Sequence, residues 1–266
     1  SSPGGMLAAD DSVAAALLAP VRERVAQERL AYAELRDQSR AWPDLATSEE
    51  HCSHRLELAA EVDQQWAAFD AKLRNQIRKA QKAKLDFRRG HHLVGAFHRV
   101  MLENMRDLGT PMRSEAYFGQ ALDLFAERAD ILLVEYAGEP IGAMFVAFHR
   151  DCVFDLWASS LRRHFSRCPN QMLYWEALRI AIERGMRSFD FGRSQWDSNT
   201  FRFKEQWGAK AVPLAYQYLL GTAPGVPRLA EQRRAFDLAT NLWRRLPLPL
   251  ARLLGEPVRK LFPELM

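Results

Sequence analysis

The stretch "ILLVEYAGEPIGAMFVAFHRDCVFDLWAS", residues 131–159, decides the fold class of this chain. Three apolar runs, rich in branched and aromatic residues, are separated by the short turn segments "AGEP" and "RD". Runs of this composition are typical of β-strands, and such short separations are typical of hairpins. The stretch therefore predicts a three-stranded antiparallel meander.

Helical patterns lie on both sides of the meander. Before it, apolar residues recur every three or four positions over 63–84 and 93–108, the strand-like "LDFRR" lies between these segments, and another helix begins at Ser114. After it, a helix begins at Pro169 and stops at Gly185, followed by the strand "RSFDF", the short helix "NTFRFKEQW" and the alternating strand "AVPLAYQYLL". A meander followed by a βαβ-type crossover predicts an α/β protein with a mixed sheet and helices on both faces.

The N-terminal part of the chain, residues 12–59, has a weaker periodic pattern of apolar residues. Residues 12–30 predict a helix with Ser12 as N-cap and Pro20 as a kink or boundary. The segments "AYAELR" and "HRLELA" predict two short strands, and the polar residues 37–55 predict a loop. This portion has too few strands for a complete sheet.

The composition is that of a soluble globular protein, with 48% hydrophobic and 26% charged residues in 266. No run approaches the roughly 18 apolar residues that a membrane helix needs. Three cysteines at unrelated spacings argue against a disulfide framework and for a reducing compartment. The segment "HCSH", residues 51–54, has no second ligand pair at a matching spacing, so we predict a polar loop there and no metal site.

The net charge of +4 conceals two basic blocks. Eight Lys or Arg and one Asp lie between Lys72 and Arg89, and eight basic and four acidic residues lie between Val226 and the end. Such segregation indicates a surface for anions: nucleic acid, a phosphorylated substrate or lipid head groups. A solvated helix face is the equally compatible alternative for either block.

Three motifs, "LRNQIRKAQKAKLDF", "PNQMLYWEALRIAIERGMRSFDFGRS" and "FRFKEQWGA", resemble the FemAB family. That family joins two GNAT-like acyltransferase halves and includes enzymes that transfer an amino acid from aminoacyl-tRNA to a peptidoglycan-precursor amine. The chain is most similar to FemAB-related proteins associated with bacterial PEP-CTERM protein-sorting and exopolysaccharide systems. The resemblance covers nearly the whole chain. It implies a GNAT-like fold with a partial first half (1–62), a complete second half (63–222) and a basic, proline-interrupted helical tail (223–266).

Lys204 is the predicted catalytic residue. Phe201, Phe203 and Trp207 can anchor its short helix, which leaves Lys204 facing the mouth of the sheet. An ammonium held there would stabilise the oxyanion that forms when an amine attacks an ester or thioester carbonyl. The Phe-Lys pair matches the FemAB pattern, in which this lysine is assigned a substrate or transition-state role. A surface lysine lying over aromatic rings is the alternative.

The predicted substrate-binding residues are Asp190, Arg193, Ser194, Asn199, Arg74, Arg78, Tyr117 and Arg163. The first three end a strand, where Arg193, oriented by Asp190, would bind a carboxylate or phosphate through two N–H groups. A loop-fixing Asp–Arg pair is the alternative, and Asn199 is more simply a helix cap. The resemblance implies that the basic helix carrying Arg74 and Arg78 lies near substrate phosphates, and a solvated helix face is the equally compatible alternative. The stretch "GTPMRSEAYF", which contains Tyr117, is similar to a family loop, and an N-cap at Ser114 is the simpler interpretation.

Arg163 lies in "SSLRRHFSRCPNQML", which corresponds to the pyrophosphate-binding loop of coenzyme-A-dependent GNAT enzymes. The stretch contains no glycine, so close backbone approach to a pyrophosphate is disfavoured, while its cations can bind phosphate through their side chains. A solvated loop is the alternative. The missing glycines argue against acetyl-CoA and agree with FemAB-like proteins.

These observations predict an acyl or aminoacyl transferase acting on an amine of a cell-envelope or exopolysaccharide-related acceptor. Its donor would be aminoacyl-tRNA or acyl-CoA, with no tightly bound cofactor. An acyl-CoA-dependent N-acyltransferase and a non-catalytic binding module of an envelope protein-sorting system are the alternatives. Expected partners are tRNA or another phosphorylated substrate, and a second copy through the shortened first half. We expect a cytoplasmic protein whose tail either contacts the inner membrane peripherally or, as the favoured outcome, packs on the parent domain.

Overall fold

The computed structural model describes residues 5–36, 41–226 and 239–261. Its helices and strands, in chain order, are α1 (Asp11–Gln27), β1 (Tyr32–Leu35), β2 (Ala46–Glu57), α2 (Val62–Ala68), α3 (Ala71–Lys82), β3 (Leu85–Arg89), α4 (Val94–Leu108), α5 (Glu115–Phe125), β4 (Ala129–Tyr136), β5 (Glu139–His149), β6 (Cys152–Ser160), α6 (Pro169–Glu183), β7 (Ser188–Gln195), α7 (Asn199–Glu205), β8 (Lys210–Leu220) and α8 (Leu248–Leu261). A 3-10 helix (Arg162–Arg167) connects β6 to α6, and residues 239–244 are helical. None of the described helices is long and apolar enough to cross a membrane.

The strands form one eight-stranded sheet in the order β1-β8-β2-β7-β6-β5-β4-β3. Strands β4, β5 and β6 form the predicted antiparallel meander. Strands β6 and β7 are parallel, and their pairing runs only from Cys152 opposite Ser188 to Phe154 opposite Asp190. Because both strands continue beyond that point without pairing, they diverge. The predicted mixed α/β sheet is confirmed.

Helices cover both faces of the sheet and bury the two larger of the three apolar cores found among the described residues. On one face, α3 and α6 pack together in a core that includes Leu73 and Ile77 of α3 and Phe189 of β7. On the other face, α4 and α5 pack over Ile131 and Phe145, and α8 packs on α4. Because both faces of β4 and β5 are buried, the sequences of these strands are almost continuously apolar.

The prediction for residues 37–55 was wrong over most of its length, because strand β2 begins at Ala46. Its first half is polar, so the period-two pattern of a half-buried strand is missing there. The strand forms nevertheless because it lies between β7 and β8 and exchanges backbone hydrogen bonds with both. The segment 1–62 therefore contributes β1 and β2 to the same sheet as the rest of the chain, while the division at residue 62 stays a prediction.

Two helix predictions were wrong in detail. The single helix expected over 63–84 is broken at Phe69, because the carboxylate of Asp70 accepts a 2.6 Å hydrogen bond from the Leu73 N–H and begins α3 as its N-cap. Helix α1 continues through Pro20, which is on an exposed face, and its N-cap is Asp10. The carbonyl that loses its partner at Pro20 therefore lies on the water side of the helix.

Two helical glycines give a matched test of this packing. A Cβ at Gly255 of α8 would lie 2.4 Å from the carbonyl oxygen of Met112, whereas a Cβ at Gly119 of α5 would meet nothing within 4 Å. We expect Gly255→Ala to lower the free energy of unfolding by about 1–3 kcal/mol. Gly119→Ala should raise it by about 0.5–1 kcal/mol. Urea unfolding followed by circular dichroism measures both, and equal effects would contradict the close approach of α8.

Candidate functional site

The point where β6 and β7 diverge is formed by Gly192. This residue has φ of +71°, a left-handed conformation that glycine adopts without strain, and a Cβ there would lie 3.4 Å from the carbonyl oxygen of Asp155. The turn at Gly192 takes β7 away from β6 one residue after Phe191, which is buried in the core. In an α/β sheet, the carboxyl ends of diverging strands are a common place for a ligand.

The ammonium group of Lys204 lies behind this turn. Only 4% of the residue is exposed, and its Nζ donates hydrogen bonds to the carbonyl oxygens of Gly192 (2.9 Å) and Arg193 (3.0 Å). Burial lowers the pKa of Lys204 to about 8, against the attraction of the Asp155 and Asp190 carboxylates. A surface lysine lying over aromatic rings is therefore excluded, and the side chain ties α7 to the end of β7.

Asp155 is a site residue that sequence reasoning missed. One of its carboxylate oxygens accepts a 2.6 Å hydrogen bond from the hydroxyl of Tyr174, and Oδ1 is buried with no partner among the described residues. Burial raises the pKa of Asp155 to about 6, and burial beside this carboxyl raises the pKa of Tyr174 well above its usual range. The one available signal was a lone carboxylate in the apolar strand "CVFDLWAS", whose partner lies on a different element.

Asp190 joins β7 to β2. Its Oδ1 accepts hydrogen bonds from the Ser53 hydroxyl (2.8 Å) and from the Gly192 N–H (2.7 Å). Asp190 therefore fixes the turn from one side, while Lys204 fixes it from the other. Ser194, two residues after Gly192, is buried, and its hydroxyl has no hydrogen-bond partner within the described ranges.

Two residues of β2, Cys52 and His54, complete the polar cluster. His54 is fully buried, its ring lies edge-on to Phe201 at 4.7 Å, and its Nε2 has no partner in the described part of the chain. Burial, aided by the Lys204 charge, lowers the pKa of His54 to about 4, so the imidazole is neutral at physiological pH. Burial raises the pKa of the Cys52 thiol. Within the described ranges no three His, Cys, Asp or Glu residues are placed to hold a metal ion.

Aromatic rings hold α7 against this cluster. Phe203 lies edge-on to Tyr174 at 5.1 Å, and Trp207 lies edge-on to Phe69 at 5.5 Å. Phe201 and Trp207 are buried. The position of Lys204 is therefore set by the packing of large side chains on both sides of it along the helix, which is the arrangement expected from the sequence.

The recorded contacts of the other predicted residues are with groups outside the cluster. Asn199 is the exposed first residue of α7, and the N-cap is Ser198, whose hydroxyl accepts from the Phe201 N–H. Arg74 and Arg78 lie on α3: Arg74 reaches the carbonyl of Ala67 at 3.5 Å, and Arg78 lies 5.4 Å from the centre of the Trp66 ring. Helix α3 packs on α6, so these arginines lie on that face of the sheet.

Tyr117 and Arg163 likewise contact groups outside the cluster. Tyr117 belongs to α5 on the opposite face, with the Arg113 guanidinium 4.5 Å from its ring centre. Arg163 of the 3-10 helix forms ion pairs with Glu103 and Glu139. Of the predicted residues, the structure thus brings together Lys204, Asp190, Arg193 and Ser194. Lys204 and Asp190 contribute their side chains, Arg193 contributes its carbonyl group, and Ser194 contributes a buried hydroxyl.

A separate cavity of about 740 Å³ lies beside the far strands of the sheet, at the C-terminal end of α6. Its ionisable lining residues are Arg89, His91, Asp123, Glu127, Asp130 and Arg184. Both signs of charge are mixed in this lining, and Arg89 lies 3.9 Å from the Asp130 carboxylate. The cavity includes none of the predicted site residues.

Comparison with known proteins agrees with this architecture. The solved structure of FemX superposes with a TM-score of 0.61 at 13% identity, over 86% of this chain and 79% of that one. The C-terminal domain of a putative lysylphosphatidylglycerol synthetase from Agrobacterium fabrum superposes with a TM-score of 0.55 at 15% identity, over 88% and 79% of the two chains. These similarities establish the fold, and no curated protein sequence matches the chain.

The family assignment comes from the sequence between α2 and α7. Residues 67–205, just over half of the chain, match the family described as "Acetyltransferase (GNAT) domain". This range contains the meander, the diverging pair β6 and β7, and Lys204 at its end. The chain belongs to the acetyltransferase (GNAT) domain family.

Proposed function

We propose that this protein transfers an acyl group from an activated ester to an amine. The acyl group that we favour is an aminoacyl group. In this reaction the acceptor nitrogen forms a bond to the carbonyl carbon, the bond from that carbon to the donor oxygen breaks, and the amine proton passes to the leaving oxygen. The buried polar cluster at the divergence of β6 and β7 is the observation that supports the proposal. It offers a carboxylate and an ammonium on the protein's own side chains.

In this proposal Asp155 receives the amine proton. Its Oδ1 is a buried acceptor without a partner among the described residues, so an N–H group of the acceptor would satisfy it. A pKa of about 6 makes the carboxylate a base near neutral pH that can return the proton to the leaving group. The Tyr174 hydroxyl, held at 2.6 Å, keeps the carboxylate in place.

Lys204 contributes position and charge. An ammonium has three N–H donors, and two of them bind the carbonyl oxygens of Gly192 and Arg193. The remaining donor and the positive charge supply the stabilisation of the carbonyl oxyanion that the sequence predicts for this residue. By holding the turn at Gly192, Lys204 also keeps the two strands apart.

The donor we favour is aminoacyl-tRNA. The connection between β6 and α6 contains no glycine, and two of its three arginines contact protein groups: Arg163 is paired with two glutamates, and the Arg167 guanidinium lies 3.9 Å from the Tyr136 ring centre. The basic side chains of α3 are available for a larger polyanion. The name of one structural neighbour, lysylphosphatidylglycerol synthetase, denotes synthesis of an aminoacylated product. Acyl-CoA is the second candidate, favoured by the family match.

For the acceptor, we propose an amine of a cell-envelope or exopolysaccharide-related precursor. This step rests on the resemblance of the three quoted motifs to FemAB-related proteins of PEP-CTERM systems. A non-catalytic role in such a system is the competing hypothesis, and turnover of the unchanged protein in the hydroxamate assay described next distinguishes the two.

Replacing the buried ammonium tests the catalytic role. With hydroxylamine as a small surrogate amine, we expect Lys204→Met to reduce hydroxamate formation from the acyl donor about 100-fold, since one oxyanion donor is worth this much. Arg202→Met is the matched control, because Arg202 is exposed on the same helix. Circular dichroism verifies that both variants are folded. Unchanged turnover in Lys204→Met would overturn the catalytic role of Lys204, whereas no hydroxamate formation by the unchanged protein with either donor would favour the non-catalytic hypothesis.

The two shifted pKa values predict a bell-shaped pH dependence. Asp155 is ionised only above pH about 6 and Lys204 is protonated only below pH about 8, so kcat/KM should rise through the first value and fall through the second. Asp155→Asn should remove the acidic limb and lower the maximum at least about tenfold. Glu205→Gln, an exposed change on α7, should retain both limbs. An acidic limb that persists in Asp155→Asn would rule out the assignment.

A binding experiment separates the two donors. If aminoacyl-tRNA is the donor, we expect its affinity to fall about tenfold or more between low and moderate salt, and Arg74→Ala with Arg78→Ala to reduce the salt slope. Arg99→Ala, an exposed arginine on the opposite face, should not change the slope. Thermal stabilisation by coenzyme A, with no binding of charged tRNA, would identify acyl-CoA as the donor instead.

A further inference from the structure

The outward face of α8 is apolar. Leu250, Leu253, Leu254 and Leu261 are 45%, 70%, 40% and 74% exposed, respectively. With about 100° of rotation per residue, Leu250, Leu254 and Leu261 lie within an arc of about 40°, and Leu253 lies at the edge of the same face. Leucines recurring in this way form a continuous stripe along the helix, which a soluble protein ordinarily buries.

The stripe is outside because the other face of α8 is already occupied. Ala251 and Gly255 are buried, and Gly255 allows the helix to approach the backbone of Met112 closely. The Arg259 side chain donates a 3.1 Å hydrogen bond to the carbonyl oxygen of Pro111. The helix therefore packs on the domain, as the sequence favoured, and its leucines are held in the outward direction by that packing.

The exposed charges that residues 239–261 themselves carry have one sign. Arg244, Arg245, Arg252 and Lys260 are exposed, whereas the single acidic residue between 239 and 261, Glu256, is turned inward. Its Oε2 accepts a 2.9 Å hydrogen bond from the Ser114 N–H. An apolar stripe bordered by cations, with the acid removed from the surface, matches the requirements of a helix that lies in the interface of an anionic lipid bilayer.

We propose that α8 and residues 239–244 attach this protein to an anionic membrane surface. The leucine stripe enters the boundary between head groups and acyl chains, and Arg244, Arg245 and Lys260 contact lipid phosphates, whereas Arg252 pairs with Glu115 at 3.2 Å. A second copy of the chain is the less suitable occupant, because a two-fold interface would place like-charged patches against each other. This surface is independent of the acyl-transfer site, so each proposal can fail without the other.

Vesicle co-sedimentation tests the attachment. We expect the protein to sediment with vesicles of equal parts phosphatidylglycerol and phosphatidylcholine, and much less with phosphatidylcholine alone. Leu253→Ser with Leu261→Ser should weaken binding at least about tenfold, because two large apolar side chains no longer leave water. Lys260→Glu should weaken binding to the anionic vesicles, and added salt should do the same.

The control for lost apolar surface is Leu17→Ser on α1, where the leucine is 44% exposed and distant from α8. This variant should bind vesicles like the unchanged protein, and thermal unfolding should show that all variants are folded. Failure to sediment with anionic vesicles, or equal sedimentation of the double leucine variant, would overturn the proposal. So would a dimer in light scattering that the double leucine variant dissociates, since the stripe would then be a contact between copies.

Discussion

A buried ammonium in contact with two backbone carbonyls determines the arrangement of the site. The Lys204 charge is removed from water, so its stability depends on the carbonyl oxygens of Gly192 and Arg193 and on the nearby carboxylates. Those carbonyls point at the ammonium only because β7 turns at Gly192, whose N–H is held by Asp190. The turn is also the point where β7 leaves β6. The divergence of the strands and the burial of the lysine therefore depend on each other.

Most of the fold could be predicted from the sequence, and the exceptions have physical causes. The meander was recognised because buried strands are apolar throughout, and the helices because their apolar residues recur every three or four positions. Only the end of strand β2, in "HRLELA", was predicted; its first part was missed because its stability comes from backbone pairing with β7 and β8, which leaves no periodic pattern. The break at Phe69 was missed because the apolar spacing continues across it. The break is caused by the Asp70 side chain, which caps the start of the next helix.

The site was predictable only where the signal is local. Aromatic residues on both sides of Lys204 indicated a fixed lysine, and the strand end indicated Asp190. Asp155 was not predicted because its partner Tyr174 is on α6, and the pairing exists only once the helix packs on the sheet. Cations chosen for their charge alone, such as Arg163, lie near protein carboxylates instead. Basic side chains on a protein surface find local partners, so charge by itself is a weak indicator of a substrate site.

The pKa shifts of Asp155 and Lys204 agree with the proposed role of this cluster in a reaction. Lys204 has its pKa lowered from 10.5 to about 8, so its burial disfavours folding at lower pH and ceases to do so as the pH rises from about 8 toward 10.5. Asp155 has its pKa raised from 3.8 to about 6, so its burial disfavours folding above about 6 and ceases to do so as the pH falls toward 3.8. Both penalties are therefore present near neutral pH. A purely structural core would be more stable with apolar residues at these positions, and groups held at such a cost are characteristic of active sites.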